Sequence, residues 1–188
     1  EPGDTALVQV RFTEPVPAVR GDRVVLRGFS PLRTVAGGRV LAPLGARERR
    51  KAERLTRLAS LQQADEAGTA LIQLEAAGLE GLDLRRLAVL TGSGAKELAK
   101  AMEAHSNRGR ALRFDAEAGR YVHMQVLEDL ERRLLAFVQK HHETHPSKPG
   151  PGKGELAQAA GEKAHPKLIQ TALTRLARRG ELEQTQEA

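Results

Sequence analysis

The chain has 188 residues, a formal net charge of +6 and no cysteine. That length holds one large domain or two or three small ones, and the lack of thiols excludes disulfides and thiolate metal centres, as fits a reducing compartment. With no Trp, one Tyr and four Phe, any core has to be assembled from Leu, Val and Ala.

No apolar run approaches the length that spans a bilayer, and the opening "EPGDTALVQV" has neither the basic region nor the apolar stretch of a signal peptide. The expectation is a cytoplasmic protein without a membrane partner. The basic excess is localised. Residues 1–57 hold 12 Lys/Arg against 6 Asp/Glu, whereas residues 58–188 hold 18 against 18. Neutralising phosphates releases counterions, so a polyanion partner is one reading of such a patch. Solubility is the other, and charge does not separate them.

From Ala6 to Phe12, "ALVQVRF" alternates apolar and polar residues with Val8, Val10 and Phe12 on one face, the period of a half-buried strand. Residues 22–29 and 38–43 read as two further strands, punctuated by Pro15, Pro17, Gly21, Pro31 and a turn at Gly37-Gly38. Three such strands cannot close a barrel. After Pro43 the period becomes helical. Residues 46–64 are a charged amphipathic connector with Leu55, Leu58 and Leu61 as its stripe. Three short helices follow within 69–105, the last two separated by "TGSG", a turn of the length that joins a helix-turn-helix pair. Leu112 and Phe114, then Tyr121 and His123, alternate about a loop ending at Gly119, which is a β-hairpin signal. Three helices closed by a hairpin are the order of a winged helix.

The order then begins again. Leu127, Leu130, Leu134, Phe137 and Val138 fall at helical spacing, "HPSKPGPGKG" ends that helix, and a short helix is followed by a longer one with Pro166 in its first turn and Gly180 at its stop. "ELEQTQEA", residues 181–188, is then the first wing strand of a truncated wing. The prediction is an α+β chain with four parts: a β segment over 1–45, a connecting helix over 46–64, and winged helices over 65–123 and 124–188.

The helix beginning at Pro166 carries Lys167 and Arg175, with Arg178 and Arg179 at its end and no acidic residue, the charge profile of a helix that faces nucleic acid. Basic residues at a helix C-terminus are equally explained by the macrodipole. Its counterpart over 95–105 balances Lys96 and Lys100 with Glu97 and Glu103, a poor phosphate ligand. His141, His142 and His145 have no third ligand at fixed spacing and read as a solvated helix end rather than a metal site. "GPGKGE" lacks the spacing, the preceding strand and the hydroxyl of a phosphate loop. Arg20-Gly21-Asp22 reads as a turn into a strand. No Ser/His/Asp set or carboxylate pair is brought together by periodicity, so neither a catalytic residue, a metal nor a cofactor is expected in these residues.

The opening β stretch, "RGDRVVLRGFSPLRTVAGGRVLAP", resembles the last strands of the third, β-barrel domain of translational GTPases of the elongation factor Tu type, and most of all the selenocysteine-specific elongation factors. The resemblance rests on Arg20, Gly21, Asp22, Arg23, Arg27, Ser30, Pro31, Thr34, Gly37 and Gly38, followed by tandem winged helices; Ala36 departs from the family's preferred Gly. It implies that the sheet ends an elongation-factor barrel whose earlier strands, and a GTPase domain using GTP and magnesium, lie outside this chain. It implies a factor delivering selenocysteinyl-tRNA to the ribosome at UGA codons, guided by a selenocysteine insertion hairpin in the mRNA. In that family a later unit reads the hairpin, so this chain, a monomer, supplies spacer units. The basic segment, with Arg23, Arg27, Arg33 and Arg39, then has tRNA as its natural partner. Two other readings stand beside it: a winged-helix transcription regulator that binds duplex DNA, and a purely structural spacer.

Overall fold

The structure, a computed structural model, describes residues 3–44 and 51–183. Strand β1 (Arg23–Arg27) pairs antiparallel with β2 (Thr34–Arg39), Arg23 opposite Arg39 and Val25 opposite Gly37, with a register shift at Leu26/Arg27. Two expectations are corrected here. Residues 6–12 form no strand: their alternating pattern finds no partner ladder among the described residues, and Val8 and Phe12 are 71% and 58% exposed. The second strand also starts earlier than expected, so Gly37 and Gly38 lie inside the ladder. The reversal falls instead at residues 28–33, closed by Gly28 N donating to Arg33 O at 2.8 Å and containing a cis Ser30-Pro31 bond.

Helix α1 (Lys51–Gln63) carries the expected Leu stripe, but only its C-terminal end reaches the core: Leu61 is fully buried while Leu55 faces solvent. The expected start of this helix at 46–50 lies outside the described residues.

The first helical unit is built from well-capped pieces. In α2 (Glu66–Ala77) the Asp65 carboxylate accepts from Gly68 N at 2.7 Å, and in α3 (Leu84–Thr91) Asp83 accepts from Arg86 N at 2.8 Å. A 3₁₀ turn (Gly78–Glu80) and the two-residue strand β3 (Leu82–Asp83) separate them. After α4 (Ala95–Asn107) come β4 (Ala111–Asp115) and β5 (Arg120–His123), which give a three-stranded antiparallel sheet of order β3-β5-β4. Three helices and this sheet are a winged helix, and Leu74, Leu87, Leu98, Met102 and Tyr121 fill its core.

The second unit comprises α5 (Met124–Thr144), α6 (Lys153–Ala160) and α7 (Pro166–Arg178). Its Leu127, Leu130, Leu134, Leu168 and Leu176 cluster with Phe114 and Val122, which belong to the hairpin of the first unit. The strand period explains this sharing. Ala111 and Tyr121 point into the first core, whereas Leu112, Phe114 and Val122 alternate onto the opposite face and into the second. One hairpin is therefore sandwiched between two sets of helices. At the seam, a Cβ on Gly81 would lie 2.5 Å from Tyr121 O and 2.6 Å from the Phe114 ring, so only glycine fits. His165 N donates to Leu79 O at 3.1 Å, and the His165 ring meets Phe114 edge-on at 5.3 Å. No strand forms over the described part of the expected second wing, residues 181–183, and residues 184–188 lie outside the described residues.

Candidate nucleic-acid interface

Two groups of cations are the candidates, and the fold treats them differently. On the β1–β2 hairpin, Val24 and Leu26 are half-buried while Arg23, Val25 and Arg27 face outward. Cross-strand partners share a face, so Arg39 stands beside Arg23, and Arg27 continues the row at a distance of about 13 Å from Arg23 along the strand. Arg33 is exposed in the adjoining reversal. Among the described residues none of these four arginines has an ion-pair partner, and like charges placed opposite each other on a sheet repel. Such a row leaves its positive charge open to solvent and to an external anion. It has no depth, so it suits a phosphate backbone better than a small ligand.

Helix α7 is different. Its own sequence carries no acid, but the fold brings acids to it from other elements. Lys167 Nζ lies 2.9 Å from Asp115 and 2.8 Å from Glu117, both at the tip of the first unit's hairpin. Arg175 Nε lies 2.5 Å from Glu131, and Arg179 lies 2.8 Å from the same carboxylate and 2.7 Å from Glu181. Glu131 is 2% exposed on α5, a buried carboxylate whose two oxygens each hold one arginine. Of the four cations at this helix, Arg178 has no ion-pair partner among the described residues, and it is exposed.

These contacts set protonation. The Lys167 hydrogen bond, then the Ala118 backbone N–H, hold the Asp115 carboxyl below its ordinary value, against the cost of burial. Lys167 is raised in turn by Glu117 and Asp115. Arg179 is raised by its hydrogen bond to Glu131. His165, whose Nδ1 accepts from Lys167 N at 3.2 Å and so caps α7, is lowered by burial first and by Arg120 second. The shifts at Asp115, Lys167 and Arg179 favour their ionic forms, whereas that at His165 favours the neutral ring.

The remaining candidates are placed as follows. Lys96, Glu97, Lys100 and Glu103 are all exposed on α4. His141 is buried and stacks on His145 at 4.8 Å, which corrects the picture of a wholly solvated helix end: it packs on the inner face of α5. Among the described residues no group of three or more His, Cys, Asp or Glu is placed to hold a metal ion. The Gly-Lys stretch opens α6, and its Gly152 N donates to Glu155 Oε2 at 2.8 Å, occupying the helix N-terminus with the chain's own carboxylate. Among the described residues no helix is long and apolar enough to cross a membrane.

Sequence reasoning missed Asp115, Glu117 and Glu131, which stand 44 to 52 residues before the cations they hold. It also read Arg20 only as part of a turn and of the family resemblance, and missed that its side chain reaches the backbone of α1. Nothing in a local window announces such partners.

With this geometry in view, the comparisons are specific. A family model described as "Elongation factor SelB, winged helix" matches residues 135–188. The chain is 37% identical over 182 residues to the selenocysteine-specific elongation factor of Desulfomicrobium baculatum, covering 97% of this chain and 29% of that protein. It is 31% identical over 156 residues to the selenocysteine-specific elongation factor of Escherichia coli (strain K12), covering 82% of this chain and 24% of that protein. The chain thus spans under a third of the length of these relatives.

Proposed function

The chain belongs to the selenocysteine-specific elongation factor family, and on that premise we propose that it is the part of such a factor that joins an RNA-facing β segment to winged-helix spacer units. The observation that carries this reading is the alignment of 97% of the chain with a relative of that name. Residues 1–45 form the end of an elongation-factor barrel, 46–64 the connecting helix, and 65–123 and 124–188 the two winged helices. The whole factor delivers selenocysteinyl-tRNA to the ribosome at UGA codons in the cytoplasm, and this chain is by itself a monomer.

What supports tRNA as the partner of the β segment is the unpaired row Arg23, Arg27 and Arg39, with Arg33 beside it. A spacer role for the second unit is favoured by the occupation of Lys167, Arg175 and Arg179 by carboxylates. Of that group Arg178 is the residue left to touch RNA. A duplex-DNA regulator is disfavoured by the mixed charges on α4 and by the family matches. The family's GTP and magnesium do not fit these residues: the Gly-Lys stretch follows a helix, its helix N-terminus is filled by Glu155, and the described residues hold no metal-ligand cluster.

Binding of the chain to tRNA, to a selenocysteine insertion hairpin and to duplex DNA, each titrated at several salt concentrations, tests the reading. Weak, salt-steep binding to tRNA with no preference for the hairpin or DNA is expected. Tight, sequence-specific binding to the hairpin or to DNA would overturn it. Failure to bind any RNA at low salt would leave the spacer role and remove the RNA-facing one.

A further inference from the structure

The tripeptide Arg20-Gly21-Asp22 has no task in the reading above, yet it sits where the β segment touches the first helical unit. On its own side the turn is fastened three times. Gly21 N donates to Val40 O at 2.8 Å, Val40 N donates to Asp22 O at 2.9 Å, and Val19 N donates to the Asp22 carboxylate at 2.8 Å. The position of Arg20 is therefore tied rigidly to the β1–β2 hairpin.

On the other side Arg20 reaches two helices at once. Its backbone N donates to Val89 O of α3 at 3.2 Å. Its Nη2 donates to Leu61 O at 2.5 Å and, at 3.4 Å, to Ala64 O, where α1 ends. Carbonyls in the last turn of a helix lack amide partners, and the negative end of the helix dipole favours a cation there. Arg20 Nε is itself buried, so the side chain is threaded into the joint rather than laid across the surface. Gly92 completes the fit. It caps α3 with φ 72°, and a Cβ there would collide with the Arg20 carbonyl. The joint thus requires a guanidinium on one side and a missing side chain on the other.

We infer that the Arg20-Gly21-Asp22 turn is an intramolecular latch, seated on Gly92 and the end of α1, that fixes the β hairpin and its arginine row at one orientation to the first winged helix. The two move as one body, and that orientation sets the direction in which the helical units leave the β segment. Since α1 is anchored on its own account by the buried Leu61 and by Arg57 on Gln73, while Arg20 ties the hairpin to α3 and to the end of α1, releasing Arg20 frees the hairpin while the winged-helix cores stay intact.

The absence of cysteine makes paired spin labels straightforward. Labels are placed at Val35→Cys on β2 and Lys100→Cys on α4, both exposed positions. Pulsed electron paramagnetic resonance on the full chain is expected to show one narrow distance distribution. That peak is lost on Arg20→Gln. It is also lost on Gly92→Asn, which keeps a residue tolerant of the left-handed cap but adds the colliding Cβ. Arg23→Gln, exposed on the same hairpin, leaves it narrow. A broad distribution without these changes, or a narrow one that survives both, overturns the latch. Helical circular dichroism separates undocking from unfolding. Should either variant lose its helices, amide exchange in the unmodified chain decides: an Arg20 amide as slow as that of Val40 supports the latch, and one exchanging like a free turn refutes it.

Discussion

The β1–β2 and β4–β5 hairpins are both antiparallel ribbons with one register shift, and both carry alternating apolar residues. In the first, Phe29 is fully exposed and Val35 is 65% exposed; in the second, Val122 is fully buried. Among the described residues every large apolar side chain left exposed lies at or before Leu55, and every core residue at or after Leu61. A two-stranded ribbon has no interior of its own. The second gains one because its two faces are covered by two different sets of helices. The first has its basic face to solvent and its other face only partly covered. The same local pattern thus gives a structural centre in one place and an exposed platform in the other.

The largest expected break in this contrast comes from truncating the shared hairpin. Phe114→Ala should lower unfolding free energy by about 3–5 kcal/mol, whereas Phe29→Ala should stay within about 0.5 kcal/mol in urea denaturation. Equal losses would show that the first hairpin is as deeply integrated as the second.

Next in size is the buried carboxylate. Glu131→Gln keeps the shape but removes the charge that holds Arg175 and Arg179, and should cost about 1–3 kcal/mol. It also releases Arg175 on α7 and leaves Arg179, at the end of that helix, with Glu181 alone. If tRNA affinity rises in this variant, the cations were masked rather than merely structural.

A smaller effect is expected from pH. Asp115 has a folded value below 3.8, so its contribution is complete above that value and is lost as pH falls through the lower folded one. Lys167 is raised above 10.5, so its contribution is complete below 10.5 and is lost as pH rises through the folded value. His165 is depressed below 6.5, so stability declines as pH drops from 6.5 toward the folded value and then levels off. Thermal unfolding of Lys167→Met against the parent should show its largest difference between the acid and alkaline limits. A difference unchanged at either extreme would mean the bridge to Asp115 and Glu117 is not coupling the units.

The smallest stability effect belongs to the first hairpin. Arg23→Gln with Arg39→Gln should alter stability by no more than about 0.5 kcal/mol, and relief of cross-strand repulsion sets its sign toward stabilisation. The same pair should flatten the salt dependence of tRNA binding by about one unit per phosphate contact. A large loss of stability with an unchanged slope would reverse the roles assigned to the two hairpins.

The winged-helix order was legible because leucines recur at helical spacing, Pro166 opens the last helix and the hairpin carries its Gly119. β3 was not, because two residues give no period. Gly37-Gly38 misread as a turn because glycine's usual meaning in a short strand is a break, and here the ladder runs through it. Periodicity placed Leu112 and Phe114 on one face but could not say which core that face enters, since a strand pattern names a face and never its neighbour. The same limit governed the site. The cations at α7 were visible as a stripe, but the acids that hold them arrive from other elements, and that pairing exists only after folding.

The two-faced hairpin also orders events during synthesis. The chain emerges N-terminal part first, and domains tend to fold in that sequence. Helices α2 to α4 and the β4–β5 hairpin can close the first core before α5 is complete, leaving Leu112, Phe114 and Val122 as a prepared apolar template. The second unit then folds against a surface that already exists. The reverse order is closed to it, because the floor of its core is encoded upstream of its first helix.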